Sequence, residues 1–288
     1  MQQQDIVTPQ PVESEVIIET RSLSRVYPGV VALDNVNYRV YRNKVNVLIG
    51  ENGAGKSTMM KMLAGVETPS SGEIFLDGTP VSMNSTHQAE KLGISIIFQE
   101  LNLFPNMNVM DNIFMANEFF QKGKINEKYQ YALAQSLLKR LELDVDPYTP
   151  LEELGIGHQQ LVEIARALSK DTRVLIMDEP TSALSQSEVK ILFNVIEQLK
   201  RRGVTIIYIS HRLEELMEIG DYITIFRDGR FISERPVSDA SIPWIIEQMV
   251  GDKKKHFDYQ PAPQGNTVLD VRGLTALHSS GGYKLNDV

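Results

Sequence analysis

The stretch VNVLIGENGAGKSTMMKMLAG, residues 45–65, decides how the rest of the chain is read. A short, mostly apolar run of strand length enters a glycine-rich turn, and a helical pattern follows from Lys56. Within it, GENGAGKST (Gly50 to Thr58) fits the spacing G-x-x-x-x-G-K-[ST]. Gly50, Gly53 and Gly55 let the backbone wrap close to phosphate groups with its N–H bonds pointing inward. Glu51, Asn52, Ala54 and Thr58 complete the loop. The N-terminus of the following helix adds a favourable dipole for an anion. Lys56 is placed to neutralise β- and γ-phosphates, and the Ser57 hydroxyl to ligate Mg²⁺. The plain alternative is a glycine-rich turn with a surface lysine, and the flanking strand and helix weigh against it.

Downstream, RVLIMDEP (173–180) is an apolar strand ending in two carboxylates. A strand-end Asp178 can hold the Mg²⁺ shell, and Glu179 can polarise a water for in-line attack on a γ-phosphate. Alone this is weak, because strands often end in acids; after a phosphate loop it is strong. His211, just past the strand TIIYIS (205–210), can hydrogen-bond the γ-phosphate from the next strand end. Gln99 closes GISIIFQ (93–99), where a metal ligand or a water contact fits. Tyr27 offers an aromatic face for a purine, although by itself it reads better as a core or surface aromatic.

The chain has 288 residues, 42% apolar and 23% charged, the balance of an ordinary globular protein. A net charge of −8 argues against general nucleic-acid binding, which needs clustered Lys and Arg, but leaves room for a locally positive site. No cysteine is present, which removes disulfides, thiolate metal sites and Cys nucleophiles. No signal peptide is read at the N-terminus, and no apolar run reaches 18 residues. The expected setting is therefore soluble and cytoplasmic.

Residues 1–15 read as a loose Gln/Pro/acid-rich tail. Residues 16–250 alternate strand and helix patterns as one α/β domain, with a mostly helical insertion at about 106–153 whose clearest helix is NEKYQYALAQSLLKRLEL. The late strands at 174–178 and 204–209 are solidly apolar, as strands covered on both faces should be. VIIETRSLS (16–24) resembles TVLDVRGLT (267–275), and ALDNV (32–36) resembles KLNDV (284–288), at shifts of 251 and 252 residues. Residues 267–288 thus read as the start of a truncated second copy of the domain, and the charged, Pro/Gly-containing 251–266 as a linker.

The order of these pieces resembles the ATP-binding cassette family over about residues 16–250. Tyr27 stands where the family has its adenine-stacking aromatic, Gly50–Thr58 as Walker A, Gln99 as the Q-loop and VLIMDEP as Walker B. SALS (182–185) stands as the D-loop, His211 as the switch, and LGIGH (Leu154, Gly155, Ile156, Gly157, His158) as the signature. The phosphate-loop stretch, FQELNLFPNMNVMDNIFMANE and HQQLVEIARAL are similar to the first cassette of double-cassette ATPases that power bacterial carbohydrate importers.

The resemblance implies a P-loop nucleoside triphosphate hydrolase fold of cassette type, with an antiparallel β subdomain and a helical subdomain at about 100–168. It implies ATP and Mg²⁺ as cofactors, with Glu179, His211 and Lys56 catalytic and Ser57, Gln99 and Asp178 around the metal. It further implies a second cassette that pairs head to tail with this one, a membrane permease subunit, an extracytoplasmic solute-binding protein acting indirectly, no nucleic acid, and a peripheral place on the cytoplasmic face of the cell membrane. The loop LNLFPNMNV after Gln99 reads either as the docking surface for the permease or as core of the helical subdomain.

Two departures stand out. The family signature is commonly LSGGQ; here Gly155 replaces its Ser and Ile156 one of its Gly, while His158 retains a donor. The D-loop carries Ser185 where Asp is frequent. Since signatures act on the partner's nucleotide, the departures weaken the opposite site and leave this chain's Lys56, Glu179 and His211 intact. A soluble cassette acting on ribosomes or DNA is the alternative, opposed by the acidic charge and the lack of a long basic insertion. A cassette inactive as an isolated piece is another. Met59, Met60 and Met62 read as adaptable core filler, Trp244 as packed on a helix near the domain end, and Lys253–Lys255 as a solvated run.

Overall fold

The computed structural model describes residues 15–251, 270–277 and 283–285. The expected tail before Glu15, the linker beyond Gly251 and the remaining residues of the expected second copy lie outside them. The chain divides into two units, Met1–Asp252 and Lys253–Val288.

The first unit opens with strands β1 (Val16–Tyr27), β2 (Val30–Val36) and β3 (Arg39–Tyr41). It passes through β4 (Val45–Ile49) into α1 (Lys56–Leu63), then through the hairpin of β5 (Ser71–Leu76) and β6 (Thr79–Val81) to α2 (Thr86–Lys91) and β7 (Ile94–Ile97). The insertion carries α3 (Val109–Phe114), a small hairpin of β8 (Phe120–Gln121) and β9 (Lys124–Ile125), then α4 (Glu127–Arg140) and α5 (Ile156–Leu168). Alternation resumes with β10 (Val174–Asp178), α6 (Gln186–Arg201), β11 (Thr205–Ile209), α7 (Leu213–Ile219), β12 (Tyr222–Arg227), β13 (Arg230–Pro236) and α8 (Ile242–Val250).

Two sheets form. In one, β1, β2, β3, β5 and β6 pair antiparallel. In the other, the order is β13-β12-β4-β11-β10-β7, parallel except at β13. Every residue of β4 is buried, as a parallel strand covered on both faces requires. Asn46 is the one polar residue there. Its side chain accepts from the Tyr41 N–H at 2.7 Å and donates to the Tyr41 carbonyl at 2.9 Å, so its amide is paired rather than stranded.

Alternation along the strands sorts the core into two layers. Leu48, Ile176, Ile207 and Ile209 pack towards Met59, Met60 and the antiparallel sheet. Val47, Leu175, Met177, Ile206 and Tyr208 pack towards α5 and α6. Met59, Met60 and Met62 are fully buried, so their core role holds. Trp244 on α8 lies under the Arg235 guanidinium, 3.5 Å from the ring centroid.

One expectation needs correction. The mostly helical pattern expected over 106–153 holds in α3 and α4 but gives way to the β8–β9 hairpin between them. Lys122 (φ 52) and Gly123 (φ 77) both take the left-handed conformation, which a two-residue type I′ hairpin turn needs. Gly123 supplies it without strain, and the local turn outweighs the flanking helical pattern.

In the second unit, the short strands β14 (Ala276–Leu277) and β15 (Tyr283–Leu285) pair antiparallel, Ala276 with Leu285 and Leu277 with Tyr283, with an irregularity between the two pairs. In the first unit Arg25 pairs with Leu33 and Val26 with Val31, with an irregularity at the same place. The sequence shifts of 251 and 252 map one pairing onto the other.

Candidate active site

Because β4, β7, β10 and β11 run parallel and in register, their carboxyl ends share one edge. Ile209 pairs with both Asp178 and Leu48, and Met177 with Ile97. The segments leaving these four strands each carry a residue singled out above: the phosphate loop after β4, Gln99 after β7, Asp178 and Glu179 at β10, His211 after β11. Ligands of open parallel sheets gather at such an edge.

The phosphate loop is shaped by close approaches. A Cβ at Gly50 would lie 2.3 Å from the Phe226 carbonyl oxygen. One at Gly55 (φ 95) would lie 2.6 Å from Leu33 Cδ2 and 2.7 Å from the Ala32 carbonyl oxygen. Glycine is therefore required at both positions. Gly53 is left-handed (φ 83) with open space around it, as a loop crest needs. Glu51, Asn52, Gly53 and Ser57 are exposed, Thr58 is half-buried, and Ala54 and Gly55 are buried. The Lys56 ammonium donates to the carbonyls of Gly50 at 2.7 Å and Glu51 at 3.1 Å. Burial holds its pKa below the usual lysine value, although Asp178 and Glu179 pull the other way.

The Ser57 hydroxyl faces the Asp178 carboxylate and favours its charged form. Burial, then the neighbouring Glu179, raise the Asp178 pKa, and Ser57, Lys56 and Lys61 oppose them. A cation beside Asp178 would relieve that burden. Among the described residues no cluster of three or more His, Asp or Glu is built to hold a metal. One carboxylate plus one hydroxyl nevertheless suits Mg²⁺, which usually keeps waters and takes ligand phosphates for the rest of its shell.

Glu179 is the meeting point. The His211 Nδ1 lies 3.2 Å from one of its oxygens, and the Gln99 amide donates to the other at 3.2 Å. Its backbone sits at φ 50, held by its N–H on the Ile209 carbonyl at 2.9 Å. A left-handed glutamate is strained by about 1–3 kcal/mol, and such strain collects at working sites. Gln99 points its amide nitrogen at Glu179, so it contacts that carboxylate and not Ser57 or Asp178.

Tyr27 ends β1 half-buried, with its hydroxyl donating to Glu67 and the Arg25 guanidinium 4.8 Å from its ring centroid. Arg25 and Glu67, which sequence reasoning did not single out, thus fix the ring.

The signature residues lie apart, with no hydrogen bond or ion pair to residues 50–58. Gly155 is the N-cap of α5 in extended conformation and supplies no side-chain cap. Leu154 is held through its carbonyl by the Gln159 amide at 2.8 Å. Ile156 and His158 are exposed and Gly157 is buried. The buried Gly157 packs against Glu188 on α6, where an added Cβ would lie 2.2 Å from a carboxylate oxygen. Ser185 and Glu188 form a capping box at the start of α6. Glu188 was not anticipated; S-x-x-E at 185–188 was its visible signal. With Ser185 as N-cap, the D-loop departure has a structural role.

This geometry agrees with the comparisons. A family model described as ABC transporter matches residues 33–182, half of the chain. The chain belongs to the ABC transporter family. The xylose import ATP-binding protein XylG of Thermoanaerobacter pseudethanolicus is 45% identical over 278 residues, which is 95% of this chain and 55% of that protein. The ribose import ATP-binding protein RbsA of Rhodopirellula baltica is 43% identical, over 96% of this chain and 55% of the other. This cassette chain therefore spans about half the length of the curated relatives it matches. Among solved structures, cbiO1 from Clostridium perfringens, part of the ABC transporter complex cbiONQ, superposes with TM-score 0.70 at 27% identity, covering 82% of this chain and 94% of that one. The cassette MJ1267 gives TM-score 0.72 at 26% identity, covering 82% and 99%. The P-loop hydrolase fold of cassette type, expected from the sequence, is the fold found.

Proposed function

We propose that this chain is an ATP-binding and ATP-hydrolysing cassette of an importer for a sugar or similar small polar solute. The convergence of Gln99 and His211 on Glu179, beside Lys56 and the Ser57–Asp178 pair, carries the reading. Similarity to xylose and ribose import proteins supports the solute class.

In the proposed site, residues 50–58 surround the β- and γ-phosphates with backbone N–H groups, and Lys56 exchanges its two carbonyl contacts for phosphate oxygens. Tyr27 stacks on the adenine. Ser57 and Asp178 would hold Mg²⁺, with Gln99 turned from Glu179 to join them, and the ion would neutralise charge on the transferring phosphoryl group. Glu179 takes the proton of the attacking water at a carboxylate oxygen, and His211 donates to the γ-phosphate. Leu154 to His158 serve the nucleotide of a partner cassette. Residues 267–288 start a second cassette, a reading supported by the repeated strand register. Closing of the paired cassettes drives a membrane permease, which receives solute from an extracytoplasmic binding protein. The chain works at the cytoplasmic face of the membrane. No helix among the described residues is long and apolar enough to cross a bilayer.

The test is Mg²⁺-dependent phosphate release over a wide range of protein concentration, with Glu179→Gln alongside. Release should fall about 10²- to 10⁴-fold in the variant, the usual size of a general-base contribution, with ATP binding retained. Equal release by both chains would sink the assignment of Glu179. Release rising faster than linearly with concentration would mean that LGIGH serves a self-paired dimer. Binding without release would mean that a partner cassette must supply the signature.

A further inference from the structure

Glu215, in the first turn of α7, gathers donors from both sides of the contact between Glu179 and His211. Its side chain is 12% exposed. Oxygen Oε2 accepts the Thr181 hydroxyl at 2.7 Å and, more loosely, those of Tyr208 at 3.3 Å and Ser210 at 3.4 Å. Oxygen Oε1 accepts from the Arg212 guanidinium at 2.9 Å. Thr181, Tyr208 and Ser210 are buried, so this carboxylate satisfies hydroxyls that have left water.

An ionised carboxylate only accepts, so all three hydroxyls donate to it. Burial, then the charge of Glu215, push the Tyr208 pKa above its ordinary value, and the phenol keeps its proton to donate. Ser210, having donated, keeps a lone pair for the Arg212 N–H at 3.1 Å, which closes a local turn around His211. The His211 side chain itself is 69% exposed, so its 3.2 Å contact with Glu179 depends on the backbone that carries it more than on packing around the ring. On the other side, Thr181 stands two residues beyond Glu179. One carboxylate thus ties the segment after β10 to the segment after β11. A first-turn acid that only steadied α7 would act through the helix's own N–H groups and dipole. The four donors to Glu215 are instead side chains ahead of α7, and Glu214, the other acid of that turn, is exposed.

We propose that Glu215 is a positioning residue for ATP hydrolysis: by holding Thr181 with one oxygen and Arg212 with the other, it fixes Glu179 and His211 in mutual register. The proposal rests on the roles given to Glu179 and His211 in the proposed function. None of the four donors lies in residues 50–58, so Glu215 acts on turnover and not on nucleotide affinity.

The experiment compares the parent chain with Glu215→Ala, Thr181→Val and Glu214→Ala. Its first readout is the NOE between the His211 ring and the Glu179 methylenes, recorded by NMR without nucleotide. The NOE should be present in the parent, weaken in Glu215→Ala and Thr181→Val, and persist in Glu214→Ala. No NOE in the parent, an undiminished NOE in Glu215→Ala, or an equal loss in Glu214→Ala would overturn the proposal. Should Glu215→Ala not fold, Thr181→Val decides in its place, since it keeps the β-branched shape and removes only the hydroxyl. The second readout sets Mg²⁺-dependent phosphate release against ATP affinity. Release per bound ATP should fall by up to about 100-fold in Glu215→Ala, the cost of misplacing reacting groups by about an ångström, with the ATP dissociation constant unchanged. A matched loss of affinity would mean a general structural role and also overturn the proposal. A parent chain that binds no ATP counts against the proposed function alone, and the NOE series, which needs no nucleotide, still decides whether Glu215 places His211.

Discussion

Replacing Glu163, a buried carboxyl of α5 that accepts the Asn102 N–H at 3.2 Å, by glutamine should change how stability depends on pH. Below pH 4.5 the folded and unfolded chains both hold the proton, and the group contributes nothing to the difference. Between 4.5 and about 7 only the folded chain keeps it, because burial raises the native pKa. Over that interval the folded state binds more protons, so stability falls as pH rises, by about 1.36 kcal/mol per pH unit. Integrated over the interval, the loss is about 3 kcal/mol, complete above pH 7. Glutamine keeps an acceptor for the Asn102 N–H and has no charge to bury. For a unit of this size 1 kcal/mol moves Tm by about 2–4 °C. The Tm difference between Glu163→Gln and the parent should therefore grow in the variant's favour by about 6–12 °C from pH 4.5 to pH 8. Differential scanning calorimetry of both chains across that range measures it. Parallel curves, separated by a constant, would refute a raised native pKa and with it the argument from burial.

Lys56→Ala removes a charge-assisted contact of about 1.5–3 kcal/mol, so ATP affinity should fall roughly 10- to 100-fold by equilibrium dialysis; less than threefold would count against its phosphate role. Gly55→Ala forces a side chain into left-handed backbone against Leu33 and Ala32, and urea melts should show a loss of at least about 1–3 kcal/mol. Gly155→Ser meets nothing within 4 Å, so stability should move by only a few tenths of a kcal/mol, while phosphate release by self-paired chains rises; unchanged release would mean the missing hydroxyl is not what weakens LGIGH. Ser185→Ala opens the capping box of α6 and should cost about 1 kcal/mol in the same melts.

Much of this molecule was readable along the chain, for local reasons. The phosphate loop has a fixed spacing between a strand and a helix, Asp178 and Glu179 end a solid apolar strand, and Gln99 and His211 close two others. Short-range patterns of this kind survive in one dimension because each residue's job is set by its immediate neighbours. The hairpin at Phe120–Ile125 was missed because its strands are only two residues long and its helical flanks dominate any window.

The remaining features depend on which distant segments meet. Parallel pairing of β7, β10 and β11 brings Gln99 and His211 onto Glu179, across separations of 80 and 32 residues that no periodicity encodes. Nothing along the chain sets Glu188 of α6 against Gly157 of α5, which packing does. Glu163 lies in LVEIARAL, where the pattern alone gives no reason to bury a carboxyl; the chain at Asn102 folds over it and removes it from water. Composition and spacing pointed to a nucleotide-binding α/β chain and to the side chains proposed to carry its chemistry. Only the tertiary structure decided which carboxylates are burdened and what faces them, because desolvation and long-range pairing are properties of the packed molecule and not of the chain.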